Sequence, residues 1–196
     1  MNETNLDATQ LTLSMLEGEK ERITKKDRLT KIIRHLLWIL MITAAVSSLI
    51  VCLWTPVIQI FGHSMEPAMT AGDIVLTKKG HEFTTGDIVV FDYNNRRLVK
   101  RVIAGPGDWV DIDEDGTVYV NGSLLEEPYL TEKALGQSDI EYPFQVQDGH
   151  WFVMGDHRDV SVDSRTRAIG TVSDEQIVGK LLLRIWPLNK ISLFNT

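Results

Sequence analysis

Cysteine is almost absent from this chain of 196 residues. There is one, Cys52, and it sits inside an apolar run. An intrachain disulfide is excluded, and cysteine says nothing about redox compartment. A cysteine in an apolar helix reads as a packing residue before it reads as a palmitoylation site. No zinc cluster is legible, because the five histidines are scattered and no Cys/His set has ligand spacing. Basic residues are also short, with 20 Lys and Arg against 27 Asp and Glu, a formal net charge of -7. A nucleic-acid binder usually shows a basic face, so that function class is set aside. Residues 1–54 hold seven basic and six acidic residues, and residues 55–196 hold thirteen and twenty-one. The acidity therefore belongs to the C-terminal part, where it reads as a solubility device. Internal repeats and low-complexity runs are lacking too.

Charge is wholly absent from Leu36 to Ile60. The most apolar part, residues 36–54, matches the roughly 20 residues a helix needs to cross a bilayer. Trp38 and Trp54 stand near its two ends, where indoles favour the interface. A cleaved signal peptide fits poorly, because the run starts late, is long and lacks a small-x-small exit. Lys25, Lys26, Arg28, Lys31 and Arg34 crowd its N-terminal flank, and beyond it no Lys or Arg appears until Lys78. The positive-inside rule then expects a single-pass protein of the cell membrane. Residues 1–31 form a cytoplasmic tail, 32–55 the transmembrane helix and 56–196 an extracytoplasmic domain. Residues 1–24 read as a largely unstructured tail with helical tendency around residues 15–22.

Beyond Pro56 the pattern changes to short strands. Val57–Phe61, Asp73–Thr77, Asp87–Phe91, Arg97–Ile103, Trp109–Ile112, Thr117–Val120, His150–Met154 and Ile177–Ile185 are β-branched or alternating runs. Gly72-Asp73, Gly86-Asp87, Gly105-Pro106-Gly107-Asp108, Asp115-Gly116 and Asn121-Gly122 punctuate them as turns. Helical turns are expected near Met65–Met69 and at Ser173–Ile177, the second capped by Ser173. The fold class is mainly β, a domain of short antiparallel strands behind an N-terminal transmembrane helix. The more polar stretch of about 111–147 reads as a small inserted β subdomain.

Two residues carry the chemistry. Ser64 lies shortly after the apolar run, and a serine oxygen is a poor nucleophile until a base takes its proton. Lys100 can be that base only if it is neutral. It shares a strand face with Leu98 and Val102, and burial there disfavours the ammonium. Lowering its pKa by about 2 units costs about 3 kcal/mol, which apolar packing can supply. A histidine-based triad is the competing chemistry. His63 adjoins Ser64 but alternation points it away, whereas His157, next to Asp156, has a loop that could fold near the serine. The segment Gly155–Arg165 is either a solvated charged loop or a supporting shell. In the second reading Ser161 orients the lysine amine, and Asp163 pairs with Arg165. Asp111-x-Asp113-x-Asp115-Gly116 imitates half of a calcium loop, but Gly122 stands where that loop needs its bidentate Glu. Asn121-Gly122-Ser123 is a formal glycosylation sequon that the Asn-Gly turn explains equally well.

Taken together these segments resemble the bacterial type I signal peptidases. The resemblance runs from Leu36 to about Leu188. Gly62-His63-Ser64-Met65-Glu66-Pro67 is similar to the family's nucleophile box, and Val99-Lys100-Arg101-Val102 through Asp108 to its general-base box. Gly72-Asp73-Ile74-Val75, Gly86-Asp87-Ile88-Val89-Val90 and Gly155–Arg165 are similar to three further boxes, in family order. The resemblance implies a coiled antiparallel β domain with an apolar face against the bilayer. It implies Ser64 as the acylated nucleophile, Lys100 as the general base, and Ser161, Asp163 and Arg165 in support. The oxyanion would be held by the Ser64 N–H. Gly62 stands where some members carry a serine donor, so that side-chain contribution is missing here. Ala68 and His157 replace the usual threonine and asparagine. The substrate would be a signal peptide on an exported preprotein, extended along 57–62 and 97–101. Ile60, Met65, Leu98 and Val99 would form shallow pockets for small side chains. No cofactor or metal is needed, and the secretion translocase is a possible partner. Two rivals stand beside this reading. Self-cleaving SOS repressors use Ser and Lys but are cytosolic. An anchored scaffold or chaperone for surface-protein or pilus assembly would need neither residue.

Overall fold

The computed structural model describes residues 20, 26, 28–50, 55–80 and 82–194. Cys52, Trp54 and nearly all of residues 1–24 lie outside the described residues, and so do the expectations that fall on them. The chain divides into two units, Met1–Val51 and Cys52–Thr196.

The first unit holds one helix, α1, spanning Arg28–Ile50 over 23 residues. At about 1.5 Å per residue this is long enough for a hydrocarbon core of about 30 Å. The run contains no proline or glycine to break it. Its Leu, Ile and Trp side chains, Trp38 among them, are exposed within the chain. An apolar helix with no apolar face buried is what a membrane span requires.

The second unit is built on an antiparallel sheet. Its strands are β1 (Val57–Gln59), β2 (Ile74–Lys78), β3 (Ile88–Tyr93), β4 (Arg96–Ala104), β5 (Trp109–Ile112), β6 (Val118–Val120), β7 (Ser123–Leu124), β8 (Phe144–Gln145), β9 (His150–Met154), β10 (Val172–Ser173), β11 (Ile177–Trp186) and β12 (Ser192–Leu193). The large sheet has the order β1-β2-β11-β3-β4-β9-β10, with β12 beside β11. A small sheet, β7-β6-β5-β8, is inserted between β4 and β9. Mainly antiparallel β with a small inserted sheet is the fold class the sequence predicts.

Strand β3 explains the centre. Ile88-Val89-Val90-Phe91 is a continuous apolar run, and all four side chains are buried. A strand covered on both faces reads this way. Ile88 and Val90 enter one cluster with Ile58, Ile60, Met65 and Leu181. Val89 and Phe91 enter a second with Val102, Trp151 and Val153. Each such side chain contributes about 1.5–3 kcal/mol on burial. A third cluster, centred on Ile103, Val110, Val118 and Phe152, fastens the small sheet to the large one. The β3–β4 hairpin turns on Asn94 and Asn95, both at positive φ (46° and 60°). That two-residue turn suits the strand twist and fixes the β4 register. Register shifts in β11, between Leu181 and Leu183 and between Arg184 and Trp186, mark bulges that bend the sheet.

One local expectation is corrected. Ser173 caps no helix. It ends β10, and a tight turn closed by Gln176 N–H on the Ser173 carbonyl leads into β11. The turn expected near Met65–Met69 is present as a single helical turn, with the Met69 N–H donating to the Met65 carbonyl at 2.9 Å.

Candidate active site

The nucleophile candidate lies on the turn after β1. Its Met65 is only 2% exposed and enters the first core cluster, which anchors the turn. Among the described residues no carbonyl accepts the Ser64 N–H, so that donor is free at the turn. Gly62 is exposed at φ +84°, with open space where a Cβ would stand.

Lys100 projects from β4 opposite Val89 of β3. It is 3% exposed. Burial pushes its pKa from the ordinary 10.5 down to about 8; Asp163 and Asp156 favour the cation, and Arg165 opposes it. The amine donates to Ser161 Oγ at 2.8 Å. Ser161 spends its own proton on Asp163 Oδ2, at 2.6 Å, so its lone pairs face the amine. Asp163 also accepts from the Gly155 N–H at 2.9 Å and from the Arg165 guanidinium at 2.8 Å. Burial raises its pKa, but the Arg165 contacts outweigh this and hold the carboxyl below the usual range. Arg165 reaches on to the carbonyls of Leu135 and Arg158. Lys100, Ser161, Asp163 and Arg165 are thus one hydrogen-bonded chain. Among the described residues no hydrogen bond joins Ser64 Oγ to it.

Ser64 and Lys100 share one cavity of about 50 Å³, whose lining includes Ile60, Gly62, Met65, Leu98 and Val99. This space is a few times the roughly 10–15 Å³ that a single water needs. The cavity opens into a groove of about 640 Å³ between Val57–Gly62 and Arg96–Leu98. Both walls are open strand edges. β1 ends the sheet order, and β4 pairs with β9 only from Arg101 onward.

His63 and His157 are occupied elsewhere. His63 Nδ1 lies 2.8 Å from Glu66. The His157 ring lies between the His63 carbonyl at 3.3 Å and Asp159 at 3.1 Å. Asp156, the neighbour that would complete a triad, instead binds Arg101 through both carboxylate oxygens, at 2.8 and 2.7 Å.

That last pair belongs to a buried network the sequence does not reveal. Arg101 stacks on the Tyr129 ring at 3.8 Å. Tyr129 donates to Glu127 at 2.9 Å, and Glu127 pairs with Arg158. Burial raises the Asp156 pKa despite Arg101. Glu127 and Tyr129 sit in the polar insert, with no local pattern to mark them. Gly155 is a second omission. A Cβ there would collide with Ser161 Oγ and with the Ser64 carbonyl oxygen. Gly155→Ala is expected to cost about 1–3 kcal/mol of stability as an overpacked site, and to slow turnover by displacing both serines. Thermal unfolding and steady-state rates check this.

A family model described as "Signal peptidase, peptidase S26" matches residues 32–186. Signal peptidase IB of Staphylococcus aureus strain Mu50 is 40% identical over 149 residues, which is 66% of this chain and 76% of that protein. Signal peptidase I of Bacillus licheniformis is 34% identical over 143 residues, with the same coverage. A crystal structure of a signal peptidase I from Enterococcus faecalis V583 is 31% identical and covers 51% of this chain and 97% of its own, with a TM-score of 0.44.

Proposed function

The chain belongs to the signal peptidase family, peptidase S26, and on that premise we propose that Ser64 is its nucleophile and Lys100 its general base. Removal of signal peptides is the activity. The observation that carries the residue assignment is a buried lysine, tuned to about 8, lining the same cavity as a serine at the head of an open groove.

The neutral amine donates one N–H to Ser161, which leaves its lone pair for the Ser64 proton. Ser64 Oγ then attacks the scissile carbonyl, and the Ser64 N–H stabilises the resulting oxyanion. Lys100 passes the proton to the leaving amine, whose departure leaves an acyl ester on Ser64. Water, deprotonated by Lys100, hydrolyses that ester. The reaction balances with water alone, so the proposal needs no cofactor or metal.

The signal peptide lies extended between β1 and β4 and pairs with their open edges. Ile60, Gly62, Met65, Leu98 and Val99 bound the pocket for the small residue before the cut. Helix α1 anchors the chain in the plasma membrane, with residues 1–31 cytoplasmic and 56–196 outside, as the flanking charges direct. The partners are signal-peptide-bearing preproteins, the lipid bilayer and the secretion translocase. An anchored scaffold would leave the cost of burying Lys100 without a purpose.

The test is cleavage of a purified preprotein, read as a size shift on a gel, across about pH 6 to 10. The base must be unprotonated, so the rate is expected to climb through about pH 8 and then level off. A rate that is flat across this range, or that favours acid, removes Lys100 from the role.

A further inference from the structure

The groove and its reactive end leave a second cavity unassigned. It has a volume of about 370 Å³ and forms where three segments meet. Glu66 and Pro67 come from the nucleophile turn, Glu132 and Ala134 from the insert, and His157 and Asp159 from the loop after β9. Its volume falls within the roughly 300–1,000 Å³ of ligand pockets. It shares no lining residue with the groove or the apolar cavity. The turn joins the two regions: Ser64 and Met65 line one, and Glu66 and Pro67 the other. His157 fastens the second cavity to the turn, its N–H donating to the Ser64 carbonyl at 3.1 Å.

A peptide whose scissile carbonyl lies on Ser64 must continue beyond the turn. The groove takes the part before the cut, and the cavity is the space open to the part after it. The charge there is acidic. Two of its ions cancel, because Asp156 pairs with Arg101 and Arg158 with Glu127. Glu66, Glu132 and Asp159 remain, and among the described residues no Lys or Arg pairs with them; Glu66 and Asp159 meet the exposed imidazoles of His63 and His157. Glu132 is exposed and has no ion pair among the described residues.

We propose that this cavity holds the first three residues of the mature protein and selects a basic side chain among them. The proposal rests on the peptidase reading and extends it to the far side of the cut.

The experiment uses the full chain and a set of signal peptides carrying Lys, Ala or Asp at each of the first three positions after the cut. At one position or more, kcat/KM is expected to fall from Lys to Ala to Asp, by about tenfold overall at low salt, as like charges are brought together. Added salt should shrink the spread. Glu132→Lys should shrink the spread, Asp159→Lys should do the same independently, and the two together should reverse the order. Cleavage at rates indifferent to charge, in wild type and both variants, would overturn the inference and leave the peptidase reading intact. Cleavage of none of the peptides would overturn that reading, and the inference with it.

Discussion

Lys100→Met is expected to lower kcat by about 10⁴-fold or more, with Ser64→Ala at least as severe, because residues that act as a unit fail together. Methionine fills the lysine's space and removes only the amine. The packing of Val89 and Val102 about the site is retained, so the fold should survive. Far-ultraviolet circular dichroism of the variant should therefore match wild type, while a preprotein incubated with it stays full length on a gel. His63→Ala and His157→Ala serve as controls. Their rings are bound to Glu66 and Asp159, so the rising limb of the pH profile should stay near 8. Processing that survives the loss of the Lys100 amine would leave Ser64 without the base assigned to it.

The second large effect is expected from Asp163→Asn. Asp163 and Arg165 are both fully buried. Neutralising the carboxylate strands the guanidinium, a change that costs about 3–5 kcal/mol in buried pairs. The variant should unfold at a clearly lower denaturant concentration. A second readout separates this from simple loosening. Asp163 favours the charged form of Lys100, and Arg165 disfavours it. With the anion gone and the cation left, the Lys100 pKa must fall. The rising limb of activity should therefore move to lower pH, even as the maximum rate drops. A limb that stayed in place, or moved up, would show that the carboxylate does not act on the amine.

The fold was legible wherever a strand was long enough to show a period. β3 was readable because four consecutive apolar residues need two buried faces. β4 was readable from Arg97 to Ile103. β7, β8, β10 and β12 have two residues each, and no alternation can be read from two. Ser173 was misread because serine before a turn looks the same whether a helix or a hairpin follows. At the site, the residues of segment 155–165 left a solvated loop and a supporting shell equally open, and the resemblance chose between them. The contacts that organise it are long-range. Arg101 meets Asp156 across 55 residues, and Arg158 meets Glu127 across 31. Such pairings leave no trace in local spacing. The cavity between the turn and the insert was equally hidden, since its walls converge only after the small sheet docks through Ile103, Val110 and Phe152.

The two bare strand edges have a consequence for cargo choice. Main-chain amides and carbonyls are the same in every polypeptide, so a cleft that grips by them is blind to most of the message it holds. On the proposed reading, selection before the cut then falls to the small cavity shared by Ser64 and Lys100. An enzyme built this way can serve cargoes whose leaders have little in common beyond one compact residue next to the point of severance.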